Sequence, residues 1–234
     1  MANSALVNYT MLSPNNSGKR TKSIDRITPH CIVGQLSVES LGSWFYKEST
    51  QASSNYGIGF DGRVGLYVPE DTRSWCSSSN ANDQRAVTIE CASERRSPYE
   101  MNDKVYNKLV MLCADICRRN GKSKLLYFAD KDYTLAYEPK EDEMILTVHR
   151  WFSSTDCPGD WLMERLPTLA TQVTTQIPLT TGTALDVEPL SSNVLYHVQV
   201  GAYKQKDNAI SMYNRLRAAG YDAFITCDNG RPVV

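Results

Sequence analysis

Between Asp103 and Asn120 the apolar residues Val105, Leu109, Leu112, Cys113, Ile116 and Cys117 recur at three- and four-residue intervals. That period fits a helix with one buried face. Asn102 or Asp103 caps its start, and Asn120-Gly121 ends it. A helix of this kind needs an apolar layer to cover. The chain offers one in short runs that read as strands: "RITPHCIVGQ" (26–35), "RAVTIECA" (85–92) and "MILTVHR" (144–150). "NYGIGFDGRVGLYVP" (55–69) reads as a hairpin around Asp61-Gly62. "SVESLGSWFY" (37–46) reads as a helix capped by Ser37, with Val38, Leu41, Trp44 and Phe45 on one side. "GDWLMERLPTLATQV" (159–173) reads as a last helix with a possible kink at Pro167. The first 23 residues are polar and read as an extended lead-in. These elements predict an α/β domain: a mixed central β-sheet of about five or six strands, flanked by helices on both sides.

The composition then shifts. "TTQIPLTTGTALDVEPLSSN" is rich in Thr, Ser and Pro and has no period, so it reads as a linker. Beyond it, "VLYHVQVGAYKQKDNAISMYNRLRAAGYDAFITCDNG" reads as strand, helix, strand, with Ala209, Met212, Tyr213 and Leu216 as the inner stripe. The expected organisation is a domain over 1–176, a linker over 177–192 and a small βαβ module over 193–234.

Composition excludes several functions. The net charge of −1 suits neither a nucleic-acid groove nor a polybasic membrane contact. No apolar run approaches the ~18 residues of a membrane span. The start, "MANSALVNYTMLSPNNSGKR", lacks a basic stretch followed by an apolar block of ~7–15 residues, so synthesis in a reducing cytoplasm is expected. Seven cysteines form no regular framework and read as reduced.

Three residues suit a metal ion. His30 lies in one strand, His149 ends another, and Cys157 follows in a loop before Pro158-Gly159. Zinc accepts imidazole nitrogen and thiolate sulfur, and a catalytic site uses three protein ligands and keeps a fourth position open. The alternative for each residue is ordinary: two hydrogen-bonded core histidines and a buried thiol. "GIGFDG" (57–62) matches a dinucleotide-binding pattern letter for letter, but a strand follows it where a helix would be required. Cys113 and Cys117 fit the helix's core stripe, and Cys31 and Cys91 alternate away from His30 and Glu90 toward the core. Trp75-Cys76 reads as a loop anchor or as the rim of a groove. Trp44, Trp151 and Trp161 read as core or near-core. Arg95 and Arg96 read as a solvated loop or as contacts for substrate carboxylates. His197 reads as a strand residue outside the metal set.

"ITPHCIVG", "NYGIGFDGRV", "RAVTIECA" and "LTVHRWFSSTDCPGDW", in this order, resemble the zinc-dependent N-acetylmuramoyl-L-alanine amidases of the phage-lysozyme and peptidoglycan-recognition type. The resemblance covers about residues 5–176. The carboxy-terminal stretch, through "YHVQVGAY", is similar to the first half of a SPOR domain, a module that binds peptidoglycan. The resemblance implies zinc held by His30, His149 and Cys157, with Glu90 as the catalytic glutamate. It implies Tyr56 and Thr155 as candidates to stabilise the tetrahedral intermediate. Thr155 stands where some members have a lysine, so it brings a hydroxyl and no charge. The implied activity is hydrolysis of the amide between N-acetylmuramic acid and L-alanine, in a phage endolysin or bacterial autolysin acting on the wall after release. Peptidoglycan is then the partner, and neither nucleic acid nor membrane is. The competing readings are a peptidoglycan-recognition protein that binds without cutting and a two-carboxylate glycosidase.

Overall fold

The computed structural model describes residues 3–177, 206–218, 225–228 and 231–233. The chain divides into two compact units, Met1–Thr183 and Ala184–Val234.

In the first unit the strands are β1 (Val7–Thr10), β2 (Asn16–Lys19), β3 (Arg26–Val33), β4 (Tyr56–Ile58), β5 (Val64–Leu66), β6 (Thr72–Ser74), β7 (Ala86–Ser93), β8 (Lys124–Leu126) and β9 (Glu143–Leu146). The helices are α1 (Val38–Phe45), α2 (Asn80–Arg85), α3 (Asp103–Arg119), α4 (Lys131–Ala136), α5 (Asp160–Met163) and α6 (Leu166–Gln176). Seven strands form one mixed sheet in the order β1-β5-β4-β7-β3-β9-β8. Only β4 and β5 pair antiparallel within it. β2 and β6 form a separate two-stranded ribbon. The N-terminal stretch is therefore not a mere lead-in: β1 pairs parallel with β5 at the sheet edge.

The long central strands carry opposite chemistry on their two faces, because side chains alternate along a strand. Ile27, Ile89 and Cys91 join the core cluster that takes in Leu109, Leu112, Cys113, Ile116 and Cys117 of α3 and Leu166, Leu169 and Val173 of α6. Each fully buried Leu or Ile contributes roughly 1.5–3 kcal/mol. Asn102 caps α3 by accepting from Val105 N at 3.0 Å. On the other face α1 covers β4 and β5 through Leu41 and Phe45, which pack on Tyr67. Gly57 permits that approach: a Cβ there would lie 2.5 Å from Leu41 and 2.6 Å from Tyr67.

Two expectations need correction here. Trp44 is 56% exposed, because the buried stripe of α1 runs Val38, Leu41 and Phe45 and leaves it on the flank. The stretch 159–173 is not one kinked helix. The chain breaks between α5 and α6, and Pro167 sits in the first turn of α6, where its missing N–H costs nothing.

The second unit contains α7 (Lys206–Ala218) and an antiparallel pair, β10 (Thr226–Asp228) with β11 (Arg231–Val233). The strand expected at "YHVQVGAY", including His197, lies outside the described residues, as does most of the expected linker. Among the described residues no helix is long and apolar enough to cross a membrane.

Candidate metal centre and active site

β3 and β7 run parallel in a register that sets His30 directly opposite Glu90. Their side chains emerge on the face away from α3, and His30 Nδ1 lies 3.9 Å from Glu90 Oε1. Below them the same face is a buried polar layer. Thr28 and Thr147 share a hydroxyl contact at 2.8 Å, and Asn82 reaches both. Thr88 bonds with Ser74 and Asn55. These bonds satisfy polar groups that would otherwise cost roughly 1–3 kcal/mol each.

His149 does not end a strand. β9 stops at Leu146, and a 3-10 turn over His149–Trp151 carries the imidazole. Its ring centroid lies 5.0 Å from that of His30. Cys157 comes from the following loop, where its N–H donates to Thr155 Oγ1 at 3.2 Å. Gly159, at φ 86°, completes the turn; a Cβ there would meet Pro98 O at 2.7 Å. The Cys157 Sγ lies 3.3 Å from His30 Nδ1. One donor atom each from His30, His149 and Cys157 falls within 4.8 Å of the others.

The electrostatics suit a cation. Burial, with help from the neighbouring His149, lowers the His30 pKa to about 3, so its imidazole is neutral and ready to ligate. Burial also lowers the His149 pKa. Contact with Cys31 and then burial push the Cys157 thiol far up. A positive ion is what would make that sulfur an anion. His30 Nε2 and Glu90 Oε2 are buried without a hydrogen-bond partner. Two neutral imidazoles and a thiol around uncompensated polar atoms fit a thiophilic divalent ion such as zinc.

Glu90 lies within reach of this group. Its side chain keeps 16% of its surface open to solvent, and burial of the rest raises its pKa to about 7. A carboxyl poised there takes and returns protons near neutral pH.

Tyr56 is not brought to the group. Its Cα pairs with Ile89, one residue out of phase with Glu90, so it faces the α3 side. Its hydroxyl donates to Glu70 Oε1 at 2.6 Å and accepts from Ser4 N at 2.8 Å. Arg119 of α3 bonds the same carboxylate. The Tyr56 hydroxyl therefore belongs to a buried network with Glu70 and Arg119, on the face opposite Glu90.

Cys76 was readable only as a loop anchor or rim; the structure puts its thiol 3.8 Å from Glu90 Oε1. Burial and then the Glu90 charge push that thiol well up, so it stays protonated. Cys31 and Cys91 pack in the core as expected, and Cys31 also touches Cys157. Cys113 and Cys117 are fully buried. Cys31, Cys76, Cys91, Cys113, Cys117 and Cys157 are free thiols. Trp151 and Trp161 pack half-buried against the core. Arg95 and Arg96 line an open cleft of about 370 Å³ with Gln35, Glu94 and Pro98, just past the ends of β3 and β7.

Comparison with known proteins follows the same lines. The catalytic domain of PlyG in solution is 16% identical over 75% of this chain and 98% of that one, with a TM-score of 0.49. PlyL is 14% identical over 71% and 96%, with a TM-score of 0.47. The N-acetylmuramoyl-L-alanine amidase LysC from Clostridium intestinale is 19% identical over 66% and 87%, with a TM-score of 0.43. No curated protein matches the chain. The SPOR domain model matches residues 192–233. The model of the N-acetylmuramoyl-L-alanine amidases matches residues 19–160, which is 142 of the 234 residues and includes His30, Glu90, His149 and Cys157. With that match over more than half its length, the chain belongs to the N-acetylmuramoyl-L-alanine amidase family and is a peptidoglycan hydrolase.

Proposed function

We propose that the chain binds zinc through His30, His149 and Cys157 and uses Glu90 as general base and acid. The bond cut is the amide joining the lactyl group of N-acetylmuramic acid to L-alanine. The observation that carries this reading is the meeting of two imidazoles and a thiol from three separate segments, within 4.8 Å, beside a buried carboxyl. Zinc, when bound, supplies a Lewis acid for the scissile carbonyl and lowers the pKa of water. Glu90 takes a proton from the attacking water at Oε2, the oxygen with no other partner. It then delivers that proton to the alanine nitrogen as the C–N bond breaks. His30 and His149 stay neutral throughout, as ligation requires. Thr155 accepts from Cys157 N and keeps its own hydroxyl hydrogen, which it offers to the developing oxyanion.

The SPOR segment at 192–233 supports a second role: it holds the enzyme on glycan strands of the wall. Retention near the substrate raises the effective concentration of the catalytic unit without changing its chemistry. In this reading the enzyme is endolysin- or autolysin-like.

Purified wall incubated with the protein tests the proposal. New alanine amino groups that disappear with a chelator and return with zinc are the expected result. New reducing ends, indifferent to chelation, would indicate a glycosidase instead. Wall binding with neither product would indicate a recognition protein.

A further inference from the structure

We propose that the loop Cys76–Ser78 is a positioning element that holds the base and one metal ligand together: the Cys76 thiol on Glu90 Oε1, the Ser78 hydroxyl on His149 Nε2. This rests on the roles of Glu90 and His149 given above and adds what aims them.

The loop is short and tightly held. Cys76 N donates to Asp83 Oδ2 at 3.1 Å, Ser77 N donates to the same carboxylate at 3.2 Å, and Ser77 Oγ donates to Oδ1 at 2.6 Å. Asp83 is 3% exposed and belongs to α2, so the anchor cannot swing into solvent. Ser78 follows at φ 62°, a left-handed conformation that non-glycine residues take only when their surroundings hold them there. That backbone sets its hydroxyl 3.1 Å from His149 Nε2. When Nε2–H donates to the Ser78 oxygen, the neutral imidazole keeps the Nδ1 lone pair free for a metal ion, and such bonds orient metal-binding histidines. Two residues earlier, the Cys76 sulfur lies 3.8 Å from Glu90 Oε1. A carboxylate held at one oxygen keeps the other aimed, and Glu90 Oε2 is the oxygen without a partner. An S–H donor is weak, so it holds the carboxyl without competing strongly for its charge. One rigid loop thus contacts both the proposed base and a proposed metal ligand.

Three variants test this in the full chain, with Glu90→Gln as reference. Ser78 is exposed, so Ser78→Ala leaves the core intact. It should weaken zinc affinity about tenfold or more, read by competition with a chromogenic chelator. Cys76→Val puts an apolar side chain, about one methyl group larger, in the thiol's place and removes the donor. It should lower kcat roughly tenfold with KM and zinc content unchanged. Cys76→Ser restores a donor and should recover most of kcat, which a merely structural role would not predict. Wild-type zinc affinity in Ser78→Ala, or wild-type kcat in Cys76→Val, overturns the proposal. Equal losses in Cys76→Val and Cys76→Ser overturn it too. Full activity in Glu90→Gln would instead defeat the underlying assignment of the base, so the two failures are distinguishable.

Discussion

His30 and Glu90 are cross-strand partners on adjacent parallel strands, with Nδ1 and Oε1 3.9 Å apart. The strand register sets the imidazole proposed as a metal ligand and the carboxyl side by side. The base should therefore be separable from the metal. Glu90→Gln should retain zinc while losing turnover by about 10²- to 10⁴-fold. Metal analysis on the purified variant, beside its rate of amino-group release, checks both halves.

Of the three proposed ligands, Cys157 is the one that must ionise to bind. Cys157→Ala should abolish stoichiometric zinc and hydrolysis together, because two imidazoles alone leave the ion too few protein ligands. Cys157→Ser should retain little, since a hydroxyl is a poor substitute for a thiolate toward zinc. Elemental analysis of both variants tests the expectation; a full equivalent of zinc in Cys157→Ala would contradict it.

In the metal-free protein, stability should respond to pH in two opposing ways. Burial depresses the His30 pKa from 6.5 to about 3. Between those values the folded state binds fewer protons than the unfolded, so this contribution is present above pH 6.5 and lost as pH falls toward 3. Burial raises the Glu90 pKa from 4.5 to about 7. There the folded state binds more protons, so its contribution is lost as pH rises from 4.5 to 7. The two overlap between 4.5 and 6.5 and offset each other. His149, whose pKa burial also lowers, adds to the His30 contribution. With chelator present, the Tm should rise with pH more steeply in Glu90→Gln than in the wild type, and less steeply in His30→Asn. Thermal melts across the range decide it.

Tyr56 should behave as a structural residue. Tyr56→Phe removes a hydroxyl that donates to Glu70, a fully buried carboxylate also bonded by Arg119. The expected cost is about 1–3 kcal/mol of stability, with turnover within twofold of wild type. Arg119→Met leaves a buried charge uncompensated and should cost more, about 3–5 kcal/mol. Denaturant titration and an activity assay on the same samples separate the two effects.

Deleting residues 184–234 should reduce retention on insoluble wall while leaving hydrolysis of a soluble muropeptide near wild type. Cosedimentation against soluble-substrate rates tests this; equal losses in both would mean that the segment serves the catalytic unit directly.

Much of this was legible in the sequence where periodicity is strong. β3, β7 and α3 are long and apolar on a regular period, and the turn at Asp61-Gly62 marks its hairpin. The residues proposed as metal ligands stood out because histidine is scarce here and cysteine beside Pro-Gly is an odd choice for a core. β1 and β2 were not, since four-residue strands at a sheet edge or in a short ribbon carry too few apolar residues to show a period. The face that Tyr56 takes was not legible, because family likeness gives a neighbourhood along the chain, whereas strand parity decides the face. The nearness of Cys76 to Glu90 depends on how a polar loop folds onto Asp83, and no local pattern encodes that.

His30 and Cys157 meet across 127 residues of chain. A polypeptide still on the ribosome therefore carries one donor of the centre for most of the domain's synthesis and gains the last two almost together. A product truncated before residue 157 would hold the sheet's central strands and yet be catalytically inert. On the proposed ligand set, hydrolytic power arrives in one step, and fragments that end before Cys157 lack it.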